Sequence, residues 1–160
     1  MTTYSLTEGG TTKLGEIDAG RHFVLKKRLD LAALADSENA GVAFGAADVL
    51  KLFNIPAMTL VSLVSLEVVK AEGAALTADV GDGDDPDGFL DGVSLNATAG
   101  TAYHTGAVHT DTVTVITTAN GAKLGKLYTA ADTLDLTLVD AGANAAVINV
   151  CAVCMDLSSE

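Results

Sequence analysis

Tryptophan is absent from this chain, and Cys and Pro occur only twice each in 160 residues. Two Cys exclude a disulfide-stapled scaffold. Basic residues are scarce as well: 9 Lys and Arg stand against 21 Asp and Glu, for a formal net charge of −12. Binding a phosphate backbone needs clustered Lys and Arg, so nucleic acid is excluded as an expected partner. No long apolar run exists. The best stretch, residues 55–69, is interrupted by Thr59, Ser62, Ser65 and Glu67. It is too short and too polar for a membrane-crossing helix, so no membrane partner is expected. The opening MTTYSLTEGG lacks a basic region followed by an apolar one, and no secretory signal is expected. The sequon at Asn96 is accordingly expected to be empty. No serine elbow, P-loop, dinucleotide fingerprint or HExxH motif occurs, so no enzyme activity is expected.

What is present is small and apolar. The chain holds 26 Ala, 20 Leu, 16 Val, 18 Thr and 16 Gly, with only 3 Tyr and 4 Phe to fill a core. A mean hydropathy of +0.36 argues against disorder. The length suits one domain with one core. Residues 1–20 are Thr/Gly-rich and weakly patterned, and read as an N-terminal arm. Residues 21–160 read as a single β-sandwich domain.

Within that domain, residues 21–29 have β character. Residues 30–39 suit one or two helical turns, with Asp30 as N-cap and Gly41 past the end. Strands follow at residues 47–53, 58–71, 74–80, 89–95, 108–118, 123–128, 133–138 and 145–157. Residues 96–107 read as a loop, and Asn120-Gly121 as a tight turn. Thr133, Asp135 and Thr137 alternate with Leu134, Leu136 and Leu138, which predicts one wet and one buried face. That strand and the last one read as a hairpin joined by residues 140–144. Eight or nine short strands with little helix indicate an all-β fold, a β-sandwich of jelly-roll-like type. Strand 58–71 is apolar on both faces and therefore expected to be covered on both, by another sheet or by another subunit. Met58, Leu60, Val61, Leu63, Val64 and Leu66 are its candidate subunit-interface residues. Small strand residues bury little area each, so a thin core gains from a neighbour.

Each cluster with chemical potential has a plain reading beside it. Cys151 and Cys154 match CxxC, but residues three apart in a strand point to opposite faces and share neither a bridge nor a metal. They read as small packed hydrophobes. Residues 79–91 hold six Asp and no base. Pro86 breaks EF-hand spacing, which leaves an irregular calcium site at Asp82, Asp84, Asp85 and Asp87 as the functional reading and a solvated turn as the plain one. His104, His109 and Asp111 offer three ligands for zinc in a cupin-like site, but no fourth is evident and His22 is distant in sequence. Exposed loop histidines are the default. Arg21, Lys26, Lys27 and Arg28 form the densest positive run, a candidate surface for an acidic partner. The same run fits the wet side of an edge strand, where Lys discourages aggregation.

Residues 55–156 resemble small virion proteins of tailed bacteriophages. The likeness lies in the stretch from IPAMTLVSLVSLEVVKAEGAALTADVGDGDDPDGF onward and in the closing YTAADTLDLTLVDAGANAAVINVCAVCMDLS. Both look like segments of phage capsid decoration, or cement, proteins and related surface modules of phage heads and tails. The resemblance implies a β-sandwich or jelly-roll, a homotrimer, the major capsid protein as partner, and no enzyme activity. It implies synthesis in the host cytoplasm and a final place on the outer surface of the virion capsid. Arg21, Lys26, Lys27 and Arg28 would then face the capsid. The alternative is a receptor- or glycan-binding module of a phage fibre or bacterial surface, with its site in the 81–91 and 96–110 loops.

Overall fold

A computed structural model describes residues 3–5, 21–105, 107–110, 113–115, 125–142 and 145–158. These form an all-β sandwich of two sheets with one short helix. The strands are β1 (Thr3–Ser5), β2 (Arg21–Asp30), β3 (Val49–Ile55), β4 (Thr59–Lys70), β5 (Thr77–Gly81) and β6 (Leu90–Ser94). They continue with β7 (Ala102–His104), β8 (Ala107–Thr110), β9 (Val113–Val115), β10 (Lys126–Tyr128), β11 (Asp132–Leu138) and β12 (Val147–Asp156). The five-stranded sheet has the order β1-β3-β11-β5-β6. The seven-stranded sheet runs β2-β12-β4-β7-β8-β9, with β10 on the start of β4. Pairing is antiparallel except between β1 and β3.

Local chemistry places the first elements where the sequence puts them. Asp30 caps helix α1 (Leu31–Glu38), its carboxylate accepting from the backbone N–H groups of Ala32 and Ala33. Those donors have no partner inside the helix, so the cap satisfies them. Gly41 follows at φ +79°, and its N–H donates to the Ala35 carbonyl at 2.8 Å. Eight residues are too few for a helix stable alone, and Leu31 and Ala35 anchor it by burial in the core.

Three expectations need correction. Residues 102–104, expected in a loop, form β7 on the free side of β4. Strands β11 and β12 are not a hairpin: they lie in different sheets, so the chain changes sheet between Leu138 and Val147. Glu72 anchors the approach to β12, its carboxylate accepting from the N–H groups of Ala145 and Ala146. Alternation reports which face of a strand is buried, not which sheet it joins, and so could not separate these cases. Finally, Asp135 is buried rather than wet, at 7% exposure. It stands opposite Gly81 on β5 and Lys51 on β3. Residues 85–86 cross directly over Gly81, since a Cβ there would lie 2.0 Å from the Asp85 carbonyl oxygen. The Asn120-Gly121 turn and residues 6–20 lie outside the described residues.

The core lies between the sheets. Val61, Val64, Leu66 and Val68 of β4 are fully buried against Leu50, Leu52, Leu134, Leu136 and Leu138. Each such side chain contributes about 1.5–3 kcal/mol relative to exposure. A bulge in β4 sets which residues enter it. Val153 pairs with Leu63 and Cys154 with Val61, so Ser62 is the extra residue. Ser62 and Leu63 both face outward, and the inward phase resumes at Val64.

Asp135 supports a prediction. One carboxylate oxygen is buried with no hydrogen-bond partner. Burial raises its pKa, Thr133 and Lys51 lower it, and the charges of Asp132 and Asp82 raise it further, leaving it above the ordinary carboxylate value. A raised native pKa contributes stability that is complete below the unfolded value and is lost as pH rises through the native one. Asp135→Asn removes the buried charge. We expect a higher Tm at pH 7, little change near pH 4, and a flatter profile between, read by thermal unfolding across that range.

Candidate functional site

The surface with the clearest organisation is the outer face of the seven-stranded sheet. Strand register lines up outward residues in four rows. Arg28, Asn149, Glu67 and Ala102 form the first row, and Lys26, Cys151, Ser65 and His104 the second. Val24, Val153 and Leu63 form the third. His22, Met155, Leu60 and Leu127 form the fourth. The face therefore has a polar, cationic half and a largely apolar half.

The polar half is a shallow open groove of about 540 Å³. Lys26 and Arg28 are exposed on its β2 side. Glu67 accepts a hydrogen bond from the Asn149 side-chain amide at 2.9 Å, which fixes the groove floor. The apolar half exposes Leu63 at 37% and Leu127 at 43%, beside Met58 at 40%. No described residue covers either half.

The sequence candidates fall differently from their expected grouping. Of the six interface candidates on the long strand, Val61, Val64 and Leu66 point into the core and are fully buried. The bulge and the facing sheet account for that, so only Met58, Leu60 and Leu63 are available to a neighbour. In the basic run, Lys26 and Arg28 face the groove. Lys27 lies on the opposite side of β2, and partial burial lowers its pKa. Arg21 starts β2, opposite Asp156. Thus the basic run and the apolar strand, separate in sequence, share one face.

Cys151 and Cys154 lie on opposite faces of β12, as strand geometry requires. Cys154 is fully buried, and burial together with Cys151 pushes its thiol pKa up to about 12. Cys151 is half-buried in the groove. We predict that a thiol reagent modifies one Cys per native chain, at Cys151, and two after denaturation, as counted by intact mass. Thiolates react and neutral buried thiols do not.

The acidic segment folds around Asp82 at the far end of the sandwich. One oxygen of Asp82 accepts from the N–H groups of Asp84 and Asp85, both at 3.1 Å, closing the turn. The other accepts from the Lys126 ammonium and, at 2.7 Å, from the Tyr128 hydroxyl. The Asp82 side chain is 1% exposed. Burial raises its pKa, but these donors outweigh burial and hold it below the ordinary value. Tyr128 is pushed upward by burial and by Asp82. Oxygen atoms of Asp82, Asp84 and Asp132 come within 4.8 Å of one another. Both Asp82 oxygens already serve hydrogen bonds, and Lys126 supplies the local counter-charge. Asp84, Asp87 and Asp91 are exposed. Among the described residues they form no ion pair with a base. His104 sits on β7 and His109 on β8, while Asp111 lies outside the described residues. No local signal in the sequence connects Lys126 to Asp82, 44 residues away.

No protein-family model matches the chain, and no curated protein matches it. Solved structures do. A chain in the capsid of Ralstonia phage GP4 is similar at a TM-score of 0.58 and 15% identity, covering 91% of each chain. A chain in the acid-stable capsid of Helicobacter pylori bacteriophage KHP30 is similar at 0.54 and 18% identity, covering 86% of this chain and 89% of that one. A chain in the cyanophage Pam1 capsid asymmetric unit is similar at 0.50 and 16% identity, covering 94% and 95%. The sandwich is thus a fold shared, nearly end to end, with chains of three phage capsid structures.

Proposed function

We propose that this chain is a structural virion protein that binds and stabilises a phage capsid shell as a decoration, or cement, protein. The observation that carries this reading is the match of the whole sandwich to chains from three phage capsid structures. The partners are the major capsid protein and two further copies of the chain in a homotrimer on the outer capsid surface. The open face of the seven-stranded sheet supports the reading, because it offers apolar side chains that a neighbour would bury. The mechanism is mechanical, not enzymatic. A protein that binds the assembled shell and not its dissociated subunits stabilises the shell by mass action, by about 2.7 kcal/mol per site at a hundred times Kd.

The test is co-sedimentation of purified protein with undecorated shells. Saturable binding is expected. Absence of binding, together with chelator-sensitive binding to host cells or glycans through the 81–91 and 96–110 segments, would instead establish the receptor-binding alternative.

A further inference from the structure

The two halves of the seven-stranded face differ in charge, and the chain itself carries a complement to the cationic half. Lys26 and Arg28 project from neighbouring rows beside His104, two cations against the one carboxylate of the groove, Glu67, which accepts from Asn149. The chain as a whole is strongly acidic, and its densest acidic segment exposes Asp84, Asp87 and Asp91. These two features cannot meet within one chain. The acidic turn is tied through Asp82 to Lys126, which pairs at Val61 on β4. The cationic rows cross β4 at Ser65 and Glu67. Four to six residues separate them, roughly 13–20 Å along the strand. The Lys126 side chain also pairs with Asp82 from the inner side of the sheet, whereas Lys26 and Arg28 lie on the outer side.

We infer that the cationic half of this face is the docking site for the acidic loop, residues 84–91, of a second copy of this chain. The contact is head-to-tail: the donor surface and the acceptor surface are different patches. Such a contact leaves a free groove on one copy and a free loop on the other, so it either closes into a ring or keeps adding copies. Closure after three copies gives the trimer proposed above, and the inference rests on that reading of the chain as a self-associating virion component. The apolar rows continue from the groove and are buried as the neighbour packs down. Opposite charges steer the approach and fix which end meets which face, while like charges brought together oppose it strongly.

The experiment uses the full chain and charge reversal on each side. One variant is Lys26→Glu with Arg28→Glu, and the other is Asp84→Lys with Asp87→Lys. Both pairs are exposed, and far-ultraviolet circular dichroism checks that each variant folds. Mass is read by light scattering across a concentration series. The wild type is expected to form a closed oligomer that weakens with salt, since screening acts on partly exposed charges. Each reversed variant is expected to weaken association by roughly 100-fold or more. In an equimolar mixture of the two variants, each unlike pair is expected to associate, because each supplies the charge the other lost, while a closed ring of three is not recovered, since an odd ring always keeps one like-variant contact. Cys151 in the groove gives a second readout: its modification slows by at least about tenfold on association and recovers in either variant alone.

A wild type that stays monomeric throughout overturns the inference. So does a reversed groove that leaves the oligomer intact, or a mixture in which unlike variants show no association beyond that of either alone. Cys151 protected only on shells, with no self-association, would assign the face to the shell protein and also overturn it. Shell binding is scored separately on the same samples. Self-association through these charges without shell binding therefore upholds this contact while overturning the virion role.

Discussion

Replacing Asp82 with Ala lowers stability by about 3–5 kcal/mol, the cost of breaking a buried charge pair by removing one partner. At about 2–4 °C per kcal/mol for a domain of this size, Tm falls by roughly 6–20 °C. Three losses combine. The Lys126 ammonium, itself 24% exposed, loses its counter-charge. The Tyr128 hydroxyl, which donates to the same oxygen, is left in a buried position with nothing to accept its proton. The N–H groups of Asp84 and Asp85 lose the acceptor that closes their turn. Lys126→Met is expected to cost a similar amount, because it strands a carboxylate with 1% exposure. The double variant should cost clearly less than the sum of the two, as residues in one network are coupled. Additive costs would show that the pair does not act as a unit.

The same residue sets the acid limit. Its native pKa lies below the ordinary value, so its contribution is present above the unfolded pKa, about 3.9, and is lost as pH falls through the native value. Asp135 and Asp79 act in the opposite sense. Burial raises Asp79, the Gly92 N–H lowers it, and the charges of Asp91 and Asp87 raise it again. Both lose stability as pH rises from about 4 toward neutrality. The wild type should therefore be more stable in mild acid than at pH 7, and should weaken again at lower pH. Asp82→Asn should remove that final decline. A calorimetric series across pH measures both limbs.

The second large effect is at Gly81. A Cβ there would sit 2.0 Å from the Asp85 carbonyl oxygen and 2.4 and 2.5 Å from the carbonyl carbon and oxygen of Pro86. All three are backbone atoms, which cannot rotate away. Gly81→Ala must therefore lift residues 85–86 off the sheet and pull on the turn around Asp82, whose N–H donates to the Asp85 carbonyl. We expect a loss of about 3 kcal/mol, the upper end for inserting atoms into a packed site. Gly83→Ala, two residues on, meets nothing within 4 Å and needs no left-handed backbone. It should change stability by less than about 0.5 kcal/mol. Equal effects at the two positions would contradict the crossing of residues 85–86 over Gly81.

Much of the fold was legible because its signals are local. The Asp30 cap, the Gly41 stop and the punctuation by Gly, Pro and Asp each act within a few residues. The placement of Cys151 and Cys154 on opposite faces follows from strand period alone. What the sequence hid was non-local. The bulge at Ser62 shifts the phase of β4, but apolar residues occur in both phases, so neither pattern looked broken. Asp135 reads as a wet residue between two Thr, yet it is buried opposite Gly81, over which residues 85–86 cross. Lys126 gives no hint of Asp82. The candidate surface was read as two sites, a basic run and an apolar strand. Register, which depends on β12 lying between β2 and β4, makes them neighbours on one face.

As a cement protein, the role proposed above, this sandwich would stabilise an assembled shell by binding it. The most direct test is the disruption temperature of undecorated shells, measured by calorimetry with and without saturating protein, alongside the Lys26→Glu, Arg28→Glu variant. Disruption is expected to shift upward with protein, more at higher concentration as mass action requires, and the groove variant is expected to give a smaller shift at equal concentration. An unchanged disruption temperature at every concentration would contradict that role.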